Sequence, residues 1–318
     1  MSISLMPRDY EILRTLVRVQ LAPSRSFQGL FFNTIHQANK RIAILKHAGL
    51  IAAQTKGLPR PYSLKTSHFW RLTNPGLEKV IERYPNERIP KNLITRTRRA
   101  SLMFCQHREV LVGFYLKLLR DASGQIEDIA NRADKFDWRH DHEVTIEYQR
   151  TVGLESEKRL LIPDATISMH SCRFFVELDK NTRGQKAALK IFSNYDDAFK
   201  QKAIANYFDD NLSANLLFVT ETEKRAAKIC KLIKDSEFAL NVFALTPTEA
   251  AKLINRAIDS GVVSVPQKPD YVTSHQILKR LYSSCIIHTE ECPKQIKSTK
   301  MGKDLMDAYR HLISREEA

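Results

Sequence analysis

"LLIPDATISMHSCRFFVELDKNTRGQ", residues 160–185, sets an Asp directly after a Pro in one apolar run and an acidic pair, Glu177 and Asp179, at the end of the next. Strand side chains alternate between faces, so Phe175, Glu177 and Asp179 share one face of "RFFVELD", and Phe174, Val176 and Leu178 share the other. The intervening "SMHSCR" is short enough for a hairpin turn, which returns the chain and brings Asp164 beside Glu177 on the neighbouring strand. Three carboxylates gathered among apolar residues repel one another and raise a pKa unless a cation sits among them. Oxygen ligands favour a hard divalent ion, and Mg2+ or Mn2+ is the expected cofactor where phosphate is the substrate.

Around these two strands the pattern continues as an alternation of strands and helices. Residues 101–120 read as a helix apolar on most sides, and "HEVTIEYQR" (142–150) as a half-buried strand. After "RFFVELD" come a long helix over 183–208, the strand "NLLFVT", a helix over 222–235, the strand "NVFAL" and a helix from 247. The order α-β-β-β-α-β-α-β-α predicts an α/β domain with a mixed sheet. Within it "RHDH" (139–142) reads as a strand-entry loop, because its middle residue is Asp141 and no third metal ligand is evident. Tyr195 and Tyr207 read as packing residues of an amphipathic helix, with Tyr195 close enough in pattern to support the acidic site.

The charge is distributed unevenly. The chain carries 50 Lys and Arg against 36 Asp and Glu, a net charge of +14 over 318 residues. Residues 1–103 hold 18 basic against five acidic residues, and the remainder holds 32 against 31, so nearly all the surplus lies in the first third. Such asymmetry is the footprint of a polyanion-binding module joined to a domain with another task. A solvated basic face is the plainer explanation, and the local pattern decides between them.

From Pro7, residues Ile12, Leu13, Leu16 and Val17 recur at helical spacing, and a short helix follows around 25–32. In "NTIHQANKRIAILKHAGLI" (33–51), Thr34 and Gln37 form a capping-box pair, Ile35, Ala38, Ile42 and Leu45 make an apolar stripe, and Gly49 supplies the stop. The outer face carries His36, Gln37, Lys40, Arg41 and His47. Two strands around a basic, proline-containing turn and a closing helix, "NPGLEKVIERY", complete a helix-turn-helix with a wing. Lys40, Arg41, Lys46, Lys56, Arg60 and Arg71 are the expected DNA-backbone contacts, and His36 and Gln37 the expected base readers. Arg96, Arg98 and Arg99 lie in a basic, proline-bearing stretch that reads as a linker and is able to follow the DNA backbone onward.

The Pro-Asp, the 12-residue spacer and Glu-x-Asp in this element order resemble the PD-(D/E)XK nuclease fold. With the winged helix ahead of it and the phrases "FWRLTNPG" and "VELDKNT", the chain resembles the replication-relaxation family, a plasmid-associated group that includes MobC-type conjugative relaxases, over about residues 7–208. The resemblance implies metal binding by Asp164 and Glu177 with Asp179 as a further acidic member. It implies a catalytic lysine too, but the position two residues after Glu177 is Asp179. Lys190, followed by Tyr195, resembles the lysine of the family's helix pattern and is the expected stabiliser of transition-state charge.

The expected architecture is therefore α/β (α+β overall): a winged-helix domain at 1–81, a basic linker at 82–100, a PD-(D/E)XK-like mixed-sheet domain at 101–260 and a helical tail at 261–318. The expected function is a metal-dependent endonuclease of the relaxase type, nicking plasmid DNA at a transfer origin, with accessory mobilisation proteins and a coupling protein as partners by resemblance. The alternatives are a non-enzymatic replication or transcription regulator with a degenerate nuclease fold, and a restriction or defence nuclease. No window is apolar enough to span a bilayer, and no secretion signal opens the chain. Five cysteines without a framework pattern point to reduced thiols and a cytoplasmic protein. Cys285, His288, Cys292 and His311 make only an irregular zinc pattern.

Overall fold

Helix α1 (Pro7–Val19) begins with Pro7 in its first turn, where a missing N–H costs nothing, and with Asp9 accepting from Met6 N at 2.7 Å. Its apolar stripe Ile12, Leu13, Leu16 and Val17 is wholly buried. Strand β1 (Ala22–Pro23), the single-turn α2 (Ser24–Phe27), α3 (Ile35–His47), β2 (Ile51–Gln54) and β3 (Phe69–Leu72) follow, with the three strands in the order β1-β3-β2, all antiparallel. Helix α2 is shorter than the run 25–32 that the sequence suggests. In the computed structural model the described residues are 3–54, 69–120, 126–152, 155–169, 172–180, 184–210 and 212–260. All lie in one compact unit, Met1–Tyr271. The tail with its Cys/His group falls outside the described residues.

Thr73 caps α4 (Asn74–Arg83): its hydroxyl accepts from Gly76 N at 3.2 Å and donates to the carbonyl oxygens of Gly49 and Leu50. Gly76 is required there, because a Cβ would stand 2.0 Å from Leu50 O. The stretch 82–100 is well packed. It contains α5 (Leu93–Arg98), buries Leu93 and Thr97, and sets Glu87 against Arg14 and Arg18 of α1.

The sheet of the second half has the order β10-β9-β8-β7-β4, made from β4 (Asp137–His140), β7 (Ala165–Ser168), β8 (Cys172–Asp179), β9 (Ser213–Thr220) and β10 (Asn241–Leu245). Strands β4, β7 and β8 pair antiparallel, and β8, β9 and β10 pair parallel. The architecture is thus mixed α/β. Two further strands, β5 (Ile146–Val152) and β6 (Glu155–Leu161), form a separate antiparallel hairpin. The sequence expectation placed "HEVTIEYQR" among the strands of the main domain; the strand that occupies the edge beside β7 is instead Asp137–His140, read above as part of a loop.

One face of the sheet, with Phe174, Val176, Leu178, Leu217 and Phe243, packs on α6 (Leu102–Arg120) and α11 (Pro247–Ser260). That core also takes in α7 (Ile126–Ala133) and the stripe of α1. The other face, with Phe175, Leu216, Phe218 and Val242, packs on α8 (Gln185–Lys200), α10 (Glu223–Lys234) and the β5–β6 hairpin. The expected single helix over 183–208 is broken: α9 (Ala203–Phe208) starts after Lys202, whose φ of 58° ends the run of α8. The residue before α8 is Gly184.

Candidate functional site

Chain geometry around Pro163 places the first carboxylate. Residues 162–164 join the β5–β6 hairpin to the main sheet, and Pro163, lacking an N–H, cannot donate to a ladder there. Asp164 N donates to Val176 O at 3.0 Å, one step beyond the Ala165–Val176 pair, so Asp164 adjoins Glu177 on β8. Its Oδ2 accepts from Leu178 N at 2.8 Å, satisfying a strand amide where β7 ends. Its Oδ1 lies 3.1 Å from Nε2 of His107 on α6.

Glu177 and Asp179 project together from β8, as the alternation requires, into the layer of α8 and α10. Tyr195 Oη, fully buried, donates to Glu177 Oε1 at 3.0 Å. Asp179 is also buried, and its Oδ2 accepts from Arg225 Nε of α10 at 2.7 Å. The ion pair sets the Arg225 guanidinium against one oxygen of Asp179, and the other, Oδ1, is buried without a hydrogen-bond partner among the described residues. Among the described residues no group of three or more His, Cys, Asp or Glu side chains is arranged to hold a metal ion. Asp164 and Glu177 remain neighbours of the right ligand type, hard oxygens, approached by helices from opposite layers.

Lys190 is exposed on α8. It precedes Tyr195 by five residues, which sets it about 140° around the helix from the face that meets Glu177. The basic side chains near Asp164 come from α6: His107 and, one residue on, Arg108.

Arg108 is completely buried. Its Nη1 lies 2.7 Å from His140 Nδ1 and its Nη2 donates to Asp141 Oδ1 at 2.5 Å. Burial, helped by Arg108, pushes His140 well below the usual histidine range. The neutral ring accepts from Arg108 at Nδ1 and so carries its proton on Nε2. His142 stacks on His140 with centroids 5.8 Å apart and meets Gln20 Nε2 at 3.1 Å, tying the network to the end of α1. The "RHDH" stretch is thus the end of β4 plus a single 3-10 turn (Asp141–Glu143). The sequence signal for this network is Arg108 in a helix, 101–120, that is apolar on most sides.

In the first third, the capping box of α3 is formed as its sequence predicts: Gln37 N donates to Thr34 Oγ1 at 3.2 Å and Thr34 N to Gln37 Oε1 at 3.3 Å. Ala38, Ile42 and Leu45 are wholly buried, whereas Ile35, expected in the stripe, is 39% exposed. His36, Gln37, Lys40, Lys46 and His47 are exposed. Lys46 Nζ stands 6.0 Å from the Trp70 ring centroid. Arg41 differs from the expectation: its Nε donates to Asp9 Oδ1 at 2.7 Å and its Nη2 to Asp9 Oδ2, a buried ion pair joining α3 to α1. Lys56 and Arg60 lie outside the described residues. Arg71, on β3, is part-buried.

These features define a mixed α/β protein with a basic helical head and a carboxylate-bearing sheet. The chain belongs to the replication-relaxation family, whose model matches residues 13–209, more than half of the 318 residues. The match spans both α3 and the Asp164–Glu177 pair. No curated protein and no solved structure matches the chain. Among the described residues no helix is long and apolar enough to cross a membrane.

Proposed function

We propose that this chain binds double-stranded DNA at a plasmid origin and acts in replication or relaxation there, with α3 as its reading helix. The observation that carries this is the two-sidedness of α3. One face is sealed into the core by Ala38, Ile42 and Leu45, and the other presents His36, Gln37, Lys40 and Lys46 to solvent. The element order α1-β1-α2-α3-β2-β3, with β3 between β1 and β2, supports a winged helix-turn-helix, in which such a helix enters the major groove. Lys40 and Lys46 contact phosphates and set affinity; His36 and Gln37 reach base edges and set preference.

The test is binding of the full chain to labelled duplexes carrying candidate origins. Lys40→Ala and Lys46→Ala weaken all duplexes alike, whereas Gln37→Ala costs about 1–3 kcal/mol on the preferred site and little elsewhere. A wild-type chain with no affinity for duplex DNA overturns the reading.

A second reading is favoured by Asp164 and Glu177 occupying facing backbone positions on neighbouring strands, with Tyr195 bound to Glu177: a relaxase-type endonuclease that nicks a transfer origin, assisted by accessory mobilisation proteins and a coupling protein. Asp164 and Glu177 would hold Mg2+ or Mn2+, and such an ion supplies a water of lowered pKa and neutralises charge on phosphate. Nicking of supercoiled plasmid by the wild type with either ion, lost in Asp164→Ala and Glu177→Ala, supports it. Absence of relaxed product, or equal product from all three proteins, leaves the non-enzymatic DNA-binding protein.

A further inference from the structure

Strand β3 presents Phe69 and Arg71 on the face opposite Trp70 and Leu72, and Phe69 packs there against Ala100 and Cys105. Helix α5 lies on the same side, so its end brings Arg98 near Arg71. The placement is built into the backbone: Gln54 Nε2 donates to the carbonyl oxygens of Arg98 and Ala100 at 3.3 and 3.1 Å, and Thr97 is buried within α5. Partial burial and the charge of Arg98 hold the Arg71 guanidinium below its ordinary value. Two cations held close together, with no ion-pair partner among the described residues, make a place suited to an anion.

The neighbouring arginine shows the contrast. Arg96 points to Asp141 and forms an ion pair with it. Among the described residues no ion pair involves Arg71, Arg98 or Arg99, and Nε of Arg71 is buried without a hydrogen-bond partner. Arg98 and Arg99 line an open groove of about 870 Å³ together with the hydrogen-bonding side chains of Asn74, Thr95 and Ser101. Neighbouring guanidiniums with interleaved hydroxyl and amide groups are the chemistry that grips phosphodiesters.

We propose that Arg71, Arg98 and Arg99 form a second DNA contact, an anion groove that takes phosphates of the duplex backbone outside the stretch covered by α3. This rests on the DNA-binding reading above and extends it: the groove contributes affinity and placement without sequence preference, and it carries the grip from the reading head to the sheet. Arg71 is the part-buried cation next to Arg98, and Arg98 and Arg99 are the solvent-facing ones that line the groove.

The experiment is a salt titration of full-chain binding to a labelled mixed-sequence duplex, followed by fluorescence anisotropy. Two lost phosphate contacts lower the slope of log K against log salt by about 1.8, equivalent to roughly 60-fold weaker binding near ~0.1 M salt. Arg98→Ala with Arg99→Ala is expected to show this drop on every duplex sequence. Lys231→Ala with Lys234→Ala, an equal charge loss on α10, is expected to leave the slope unchanged. Normal wild-type binding with an unaltered slope in the arginine variant, or an equal drop in the α10 variant, overturns the groove alone. No wild-type binding overturns the groove and the DNA-binding reading together.

Discussion

Replacing Glu87 with Ala tests the joint between the head and the sheet. The Glu87 side chain is 5% exposed and accepts from Arg14 Nε at 2.6 Å, Arg18 Nε at 2.6 Å and Arg18 Nη2 at 2.9 Å. The two arginines are nearly as buried; of the other carboxylates near them, Asp134 is 60% exposed and Glu11 accepts from Tyr84. Removing Glu87 therefore strands two guanidiniums in the interior, which costs about 3–5 kcal/mol for a broken buried pair. With a urea m-value of about 3 kcal/mol/M, the midpoint falls by about 1 to 1.7 M. Tryptophan fluorescence reports it, since Trp70 and Trp138 are both buried in this unit. A shift below about 0.3 M would mean the network contributes no more than a surface pair, and the reasoning fails. A pH series supplies the sign. Burial pushes the Glu87 carboxyl up, but Arg18 and Arg14 prevail and hold it below its ordinary 4.5. Its contribution is then complete above about pH 4.5 and lost as pH falls through the lowered value, because the unfolded chain binds the proton first. The gap between wild type and Glu87→Ala must narrow in acid; a widening gap refutes the assignment.

Arg41→Met is expected to lower stability by about 3 kcal/mol, since Asp9 is left buried without its guanidinium. The same variant leaves the salt slope of DNA binding unchanged; a slope reduced by about 0.9 would return Arg41 to the phosphate contacts. Cys105, wholly buried with its thiol pushed up to about 11 by that burial, stays unalkylated by iodoacetamide at about pH 8 in the native protein and reacts after denaturation. Peptide mass mapping that finds Cys105 labelled in the native state contradicts its placement.

Local patterns were read well from the sequence where one short stretch carried the whole signal. The cap of α3 and three of its four stripe residues, the alternation along β8, and the run β9, α10, β10, α11 all emerged at or near their observed bounds. Pattern failed where the signal was thin or distant. Helix α7 has only eight residues, and β4 is a polar "DWRH" whose Trp138 and His140 are buried by distant elements, α6 and α1 among them. Nothing in "FKQKAI" announces the break at Lys202, which contains neither Pro nor Gly. At the candidate site, the strand positions of Asp164 and Glu177 follow from local spacing. The partners that decide their chemistry do not: Arg225 lies 46 residues from Asp179, and Arg41 lies 32 from Asp9. Long-range ion pairs leave no periodic trace in a single sequence.

The stripe of α1 and the inner side of α6 belong to one continuous core, and α1 touches both α7 and β4. The head is consequently no detachable reader on a tether. Wherever α3 seats itself, the orientation of Asp164 and Glu177 follows like the far arm of a set square. Replacing the first three helices with those of another protein would require recutting the whole seam along α1 as well as the exposed face of α3.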